Sequence, residues 1–125
     1  MTSSEGASAL RTVERLRRSR DFEVVMRNGR RTRDPMLHLT AHSNQLPYSR
    51  VGYAVSRRVG GAVVRNRVKR RLRAIMKELP IQPGYDIVAI PQHSSVGESF
   101  EAIRRATGRC ARRLQLIADE NASTS

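Results

Sequence analysis

Residues 50–90 read RVGYAVSRRVGGAVVRNRVKRRLRAIMKELPIQPGYDIVAI, and this stretch predicts a strand, a helix and a second strand in succession. Apolar residues alternate over residues 51–55, which is the period of a β-strand. Over residues 64–79 they recur at the spacing of one helical face, and Pro80 ends that helix. Residues 86–90, DIVAI, are apolar on both sides and indicate an interior strand. We expect the two strands to be parallel, because a helix of this length carries the chain back across the sheet.

The flanking sequence adds two helices and one strand. A short helix is expected over residues 19–27, and the Asn28-Gly29 pair ends it. Alternating residues 37–42 predict a strand that pairs with the strand at 51–55, and a helical stripe over residues 96–117 predicts the last helix. The order is α-β-β-α-β-α, so we expect an α+β fold, a two-layer sandwich with a small mixed sheet and a basic crossover helix.

The composition fits one domain with a polyanionic partner. The chain has 125 residues, of which 24 are Lys or Arg and 11 are Asp or Glu, giving a net charge of +13. Residues 1–9 and 119–125 are small and polar, so we expect disordered tails around one domain at residues 10–118. No apolar run reaches the roughly 18 residues of a membrane span, and no secretory signal begins the chain. These features predict a cytoplasmic protein whose partner is nucleic acid or an anionic surface.

The positive charge is concentrated in the crossover helix and the turn before it. Residues 57–73 contain eight basic residues and no acidic one. The apolar stripe of the helix places the polar residues on its far side, namely Asn66, Lys69, Arg70, Arg73 and Lys77, with Arg65 and Arg71 at the edges. Like charges one turn apart repel, so an anionic partner is needed to offset them. Asn66 differs from its neighbours because its amide can hold a 2′-hydroxyl, a base edge or a hydrated metal ion.

The sequence shows no group of residues arranged for catalysis by the protein itself. The acidic residues are scattered, and no nucleophile stands beside a base. His38 and His42 would share a strand face about 13 Å apart, too far for one metal ion, and we expect them at a sheet edge. Cys110 falls on the apolar stripe of the last helix and is expected in the core. We therefore predict no catalytic residue and no metal site in this chain.

The motif around the basic helix resembles the signature of the protein subunit of bacterial ribonuclease P. The resemblance is carried by RVG at residues 50–52, SRR at 56–58 and AVVRNRVKR at 62–70, and it extends over roughly residues 15–115. It implies a protein that assists a large catalytic RNA with bound Mg²⁺. That RNA removes the 5′ leader from precursor tRNA by hydrolysing one phosphodiester, so the implied partners are the catalytic RNA and precursor tRNA, with neither DNA nor membrane.

The resemblance also implies which residues bind RNA. The surface contacting the catalytic RNA would consist of Arg57, Arg58, Arg65, Asn66, Arg67, Lys69, Arg70 and Arg73. A cleft between the first helix and the sheet would bind the leader through Phe22, with Met26 in place of a second aromatic and Tyr53 as a substitute ring.

Three other functions suit a small basic protein. A ribosomal protein shares the composition and fold class, and the RNA that co-purifies distinguishes it from a ribonuclease P subunit. A DNA-reading transcription factor is disfavoured because only Asn66 on the basic face is suited to read a base. A membrane-surface protein is disfavoured because the apolar stripe of the basic helix is needed for the core.

Overall fold

The computed structural model describes residues 13–117, and the tails expected at residues 1–9 and 119–125 lie outside the described residues. A 3₁₀ turn at His93–Ser95 joins the last strand to the last helix. The regular elements in chain order are β1 (Glu14–Arg15), α1 (Ser19–Asn28), β2 (Arg30–Arg33), β3 (Leu37–Ser43), β4 (Arg50–Tyr53), α2 (Ala62–Glu78), β5 (Tyr85–Pro91) and α3 (Phe100–Arg113).

The five strands form one mixed sheet in the order β1-β4-β5-β3-β2. β4 and β5 are parallel, with Arg50 opposite Asp86, which confirms the relationship predicted from the crossover helix. β3 runs antiparallel to β5, from Leu37 opposite Pro91 to Ser43 opposite Tyr85. The α+β class and the small mixed sheet are thus as predicted.

The expected pairing of residues 37–42 with residues 51–55 is wrong, because β5 lies between β3 and β4 and pairs with both. Ile87, Val88 and Ala89 of β5 have no exposed surface. A strand that is apolar on both sides would expose one row of side chains at an edge, so burial of apolar surface places it at the centre.

Two short edge strands were not predicted. β1 has only two residues, and β2 reads RRTR, which carries no apolar alternation. Edge strands need little apolar surface, and charged side chains keep them from pairing with other chains.

Because β2 pairs with β3, the expected edge position of His38 and His42 is also wrong, and both are half-buried within the sheet.

The helix ends follow local chemistry. α1 gives way to β2 at Gly29, where a β-carbon would lie 2.5 Å from the Val25 carbonyl oxygen and 2.7 Å from that of Ala41. Only glycine fits such a close approach. α2 begins at Ala62, slightly earlier than predicted. The last helix is shorter than residues 96–117, because the Ser99 hydroxyl caps its start by accepting from the Ala102 amide at 3.0 Å.

The sheet has apolar contacts on both faces. The larger core lies between the sheet and the two helices α2 and α3, and it includes Leu39, Val51, Leu72, Ile75 and the predicted core residue Cys110. A smaller cluster under α1 contains Leu16, Val25 and Val88, with Phe22, Met26 and Ile90 packed against it. The predicted two-layer sandwich therefore describes the sheet with α2 and α3, while α1 adds a layer on the opposite face.

Candidate nucleic-acid interface

α2 divides into a buried face and a cationic face. Val68, Leu72, Ile75 and Met76 are buried in the core, as the apolar stripe predicted. Among the predicted RNA-contacting residues, the exposed ones are Arg57, Arg58, Asn66, Arg67 and Arg70. These side chains are free to approach a large partner without any rearrangement of the core.

Lys69 and Arg73 do not lie on the far side of α2, where the helical pattern placed them. Both are half-buried on the flank of the helix that faces β1 and α1. The helical period predicts where a residue lies relative to the apolar stripe of α2. It does not predict which flank of the helix the neighbouring elements cover. Arg65 lies at the edge as predicted, and its Nε donates to the Gly60 carbonyl at 3.1 Å.

The turn before α2 presents two further cations. Val59 is buried and anchors the turn, whose amide hydrogen bonds run from Val59 to the Ser56 carbonyl and from Gly60 to the Arg57 carbonyl, each at 3.1 Å. Arg57 and Arg58 are left exposed beside the helix N-terminus. The first turn of α2 contains no acidic residue, so its free amides and the helix dipole add to the positive charge.

A groove lies between α2, α1 and β1. It is a cavity of about 220 Å³ lined by Arg15, Leu16, Arg17, Phe22, Tyr53, Lys69 and Arg73. A neighbouring cavity of about 390 Å³ shares Arg15, Arg17, Tyr53 and Arg73 and continues the groove to Lys77. The groove therefore combines aromatic surface with cations from two elements.

The structure brings together two of the three residues predicted to bind the leader. Phe22 and Tyr53 both line the groove, although they approach it from different elements. Met26 is absent from that lining and instead lies 3.9 Å, measured from its sulfur, from Nη2 of Arg31. Burial is the main cause that raises the pKa of Tyr53 to about 12, so its hydroxyl stays neutral at physiological pH.

Arg73 carries an unsatisfied donor beside the groove. Its Nε is buried and has no hydrogen-bond partner among the described residues. A buried donor without a partner costs about 1–3 kcal/mol. An anionic ligand in the groove would offset the charge of this guanidinium.

Arg15 and Arg17 line the groove but were not predicted as site residues. The signal was present in the sequence, since residues 15–20 read RLRRSR. This run belongs partly to the unpredicted strand β1, and only the pairing of Glu14 with Arg50 and Arg15 with Val51 places it opposite α2.

An ion-pair cluster anchors α1 to the sheet. Nε and Nη2 of Arg50 donate to the two carboxylate oxygens of Asp86 at 2.8 and 2.6 Å. Nη1 of Arg50 also lies 3.5 Å from Asp21 in α1, and the Asn44 amide donates to Asp86 at 2.8 Å. The hydrogen bonds to Asp86 raise the pKa of Arg50 further above its usual value. The cluster fixes the helix that carries Phe22.

The carboxylates described here are poorly suited to bind Mg²⁺. Within residues 13–117 no group of three or more His, Cys, Asp or Glu side chains could hold a metal ion. Asp86 and Asp34 instead accept from arginines, namely Arg50 and Arg109. The side chains that the structure describes therefore do not form a magnesium site.

The fold and the site define a class: a small basic α+β protein with a cationic helix beside a groove lined by aromatic and cationic side chains. Such a combination is typical of proteins that bind the phosphate backbone of nucleic acids. Among the described helices, none is long and apolar enough to span a membrane.

Comparisons with known proteins identify the family. The family model for ribonuclease P matches residues 10–115. The ribonuclease P protein component of Streptomyces avermitilis is 39% identical over 122 residues, covering 82% of this chain and 99% of the relative. That of Roseiflexus castenholzii is 35% identical and covers 86% of this chain and 91% of the relative.

Solved structures show the same architecture. The ribonuclease P protein of Thermotoga maritima is 31% identical, has a TM-score of 0.75, and covers 82% of this chain and 98% of its own. The Staphylococcus aureus protein, at 21% identity and a TM-score of 0.76, shares the fold and covers 86% of this chain and 100% of its own. The chain belongs to the ribonuclease P protein family, whose members are the protein components of an endoribonuclease complex that processes tRNA.

Proposed function

We propose that this protein binds the catalytic RNA of ribonuclease P through α2 and the turn before it, and holds the 5′ leader of precursor tRNA in the adjoining groove. The complex acts in the cytoplasm. The RNA, with bound Mg²⁺, hydrolyses the phosphodiester between the leader and the mature tRNA, and this chain contributes no catalytic side chain.

The observation that carries the proposal is the meeting of α2 and α1 at one groove. Lys69 and Arg73 of α2 line the same cavity as Phe22 and Tyr53. An RNA strand in the groove would therefore contact cations that belong to the helix on which the catalytic RNA binds. This arrangement couples leader binding to the position of the catalytic RNA.

The side chains divide into two roles. The exposed arginines of α2 and the turn neutralise phosphates of the folded RNA, and Asn66 contacts a 2′-hydroxyl or a base edge. Phe22 and Tyr53 offer ring surface to unpaired bases, for which base stacking is worth about 1–3 kcal/mol and tolerates any sequence. Met26 of α1 packs against the cluster of Leu16, Val25 and Val88 and does not line the groove.

RNA is the proposed partner in preference to duplex DNA or a membrane surface. A groove with aromatic walls suits unstacked bases, which duplex DNA does not present. The apolar face of α2 is buried in the core, so no apolar face of that helix is left for insertion into lipid.

The test is precursor tRNA cleavage by the catalytic RNA with and without the full-length protein. We expect the protein to raise the affinity for precursor tRNA or lower the Mg²⁺ requirement, and we expect RNA-free protein to be inactive. The variant Arg67→Gln/Arg70→Gln should lose most of the stimulation. Arg104→Gln is the matched control, because Arg104 is paired with Glu78 at 2.9 Å. Cleavage of precursor tRNA by RNA-free protein would overturn the proposal.

A further inference from the structure

A second cationic surface lies at the β2 edge of the sheet, the edge opposite β1 and the groove. It combines the edge strand β2 with the exposed side of α3. We call it the β2-edge surface and define it by five exposed arginines: Arg30, Arg105, Arg109, Arg112 and Arg113. None of these residues belongs to the proposed interface on α2. Arg31 lies on the other face of the sheet, where its Nε donates to the Thr40 hydroxyl at 3.1 Å.

Hydrogen bonds between β2 and α3 hold this surface together. Nη2 of Arg30 donates to the Leu114 carbonyl at 2.8 Å, at the end of α3. In the opposite direction, Nη1 of Arg113 donates to the Arg33 carbonyl at 3.4 Å. Two guanidinium groups are thus fixed by backbone acceptors, and their remaining donors are available to a ligand.

The cations of the β2-edge surface are largely uncompensated. Asp34 accepts from Arg109 at 3.1 Å, and its carboxylate is almost wholly buried. Over residues 13–117, neither Arg105 nor Arg112 lies within salt-bridge distance of a carboxylate. Positions 105, 109 and 112 are three and four residues apart on one helix face, where like charges repel.

A neighbouring arginine on α3 gives the contrasting case, a cation whose charge is neutralised by carboxylates of the protein itself. Arg104 precedes Arg105 on α3 and lies 2.9 Å from Glu78 and 3.7 Å from Glu101. Carboxylates thus neutralise the flank of α3 that faces α2, whereas Arg105 and Arg112 on the outer flank have no carboxylate within salt-bridge distance among residues 13–117. An anionic partner is needed to offset the charge on that outer flank.

We propose that the β2-edge surface is a second RNA-binding site, which holds the phosphate backbone of another RNA segment while α2 binds the first. This inference rests on the proposed function and extends it. The two edges are separated by four strand spacings, or about 20 Å. Guanidinium groups suit phosphates because their planar donors form paired hydrogen bonds with two oxygens. The protein therefore joins two RNA segments across its sheet.

The experiment counts bound RNA with the full chain and a short, fluorescently labelled RNA hairpin as the probe. Two variants remove equal charge from the two surfaces: Arg105→Gln/Arg112→Gln from the β2 edge and Arg67→Gln/Arg70→Gln from α2. We expect two hairpins per wild-type protein by sedimentation and one for each double variant. Each double variant should lower the slope of log K against log salt by about two. The control Arg104→Gln should still bind two hairpins.

The outcomes separate this inference from the proposed function. One hairpin per wild-type protein, with affinity unchanged by Arg105→Gln/Arg112→Gln, overturns the second site and leaves the α2 interface standing. Unchanged binding by Arg67→Gln/Arg70→Gln counts instead against the proposed function. Two hairpins bound by the Arg105→Gln/Arg112→Gln variant, with the wild-type dependence on salt, also overturn the inference.

Discussion

The ring of Phe22 lies directly over Gly52, so closely that no side chain fits between the helix and the strand at this point. A β-carbon built on Gly52 would lie 2.8 Å from Cε2 of Phe22 and 2.9 Å from Cε1. One side of the ring is thereby held by β4, while the ring also lines the groove beside Tyr53. The absence of a side chain at Gly52 thus sets the position of the aromatic surface that lines the groove.

Replacing Gly52 with Ala should displace the ring of Phe22, because the added methyl group would overlap it. Overpacking of this kind costs typically about 1–3 kcal/mol of stability. We expect weaker binding of precursor tRNA that carries a leader, with little change for mature tRNA. The double variant Gly52→Ala/Phe22→Leu should recover stability, because the smaller side chain relieves the overlap, but it should not recover leader binding. Recovery of both would show that the ring contributes nothing to leader affinity.

Replacing Phe22 with Ala should weaken the binding of leader-bearing precursor tRNA by about 1–3 kcal/mol, the value of one base stacked on an aromatic ring. Affinity for mature tRNA and for the catalytic RNA should stay nearly unchanged. The matched control is Val25→Ala on the same helix, because Val25 has no exposed surface and serves the core alone. That control should lower the melting temperature without any preference for the leader. Equal affinity losses with and without a leader would assign Phe22 to the core.

Removing one exposed arginine from α2 should weaken RNA binding without unfolding the domain. Arg67→Ala or Arg70→Ala is expected to cost about 1–2 kcal/mol of binding free energy, because both side chains are exposed and neither contributes to the core. Titrations against salt should give a slope of several units for the wild type, since about five to eight phosphates are neutralised. A wild-type slope near one would contradict this interface.

The Arg50–Asp86 pair should contribute to stability more than the contact of Arg50 with Asp21. The Asp86 side chain is only 9% exposed and accepts two hydrogen bonds from Arg50, whereas the Asp21 side chain is 25% exposed. We expect Asp86→Asn to lower the free energy of unfolding by about 2–3 kcal/mol and Asp21→Asn by under about 1 kcal/mol. Urea denaturation measures both. Equal effects of the two variants would argue against the central role of the Asp86 carboxylate.

The buried thiol of Cys110 should make stability sensitive to alkaline pH. Burial raises the pKa of Cys110 from 9.0 to about 11, so the folded state disfavours the thiolate. A group whose pKa is raised on folding contributes its full stability below the unfolded value and loses it as pH rises through the folded value. Stability should therefore fall between pH 9 and pH 11, and less steeply in Cys110→Ala. Identical pH profiles for the two proteins would contradict this assignment.

Features that lie within one element could be predicted from the sequence. The apolar positions of residues 64–79 fixed α2 and its buried face, because a helix repeats every 3.6 residues whatever surrounds it. Local sequence signals also predicted the bounds of α1 closely. The length of the crossover helix predicted the parallel pairing of β4 with β5. The positive charge of α2 could be predicted directly from the basic residues in its sequence. The resemblance then indicated the catalytic RNA of ribonuclease P as the partner.

Features that depend on contacts between distant residues were decided only by the tertiary structure. β5 lies between β3 and β4 because both of its apolar faces are buried at the centre of the sheet, where α1 covers one face and α2 and α3 cover the other. Lys69 and Arg73 line the groove because packing, which the helical period does not specify, turns that flank of α2 toward β1. Short polar strands such as β1 and β2 leave no periodic signal, since their stability comes from hydrogen bonds to a neighbour that only the folded chain supplies.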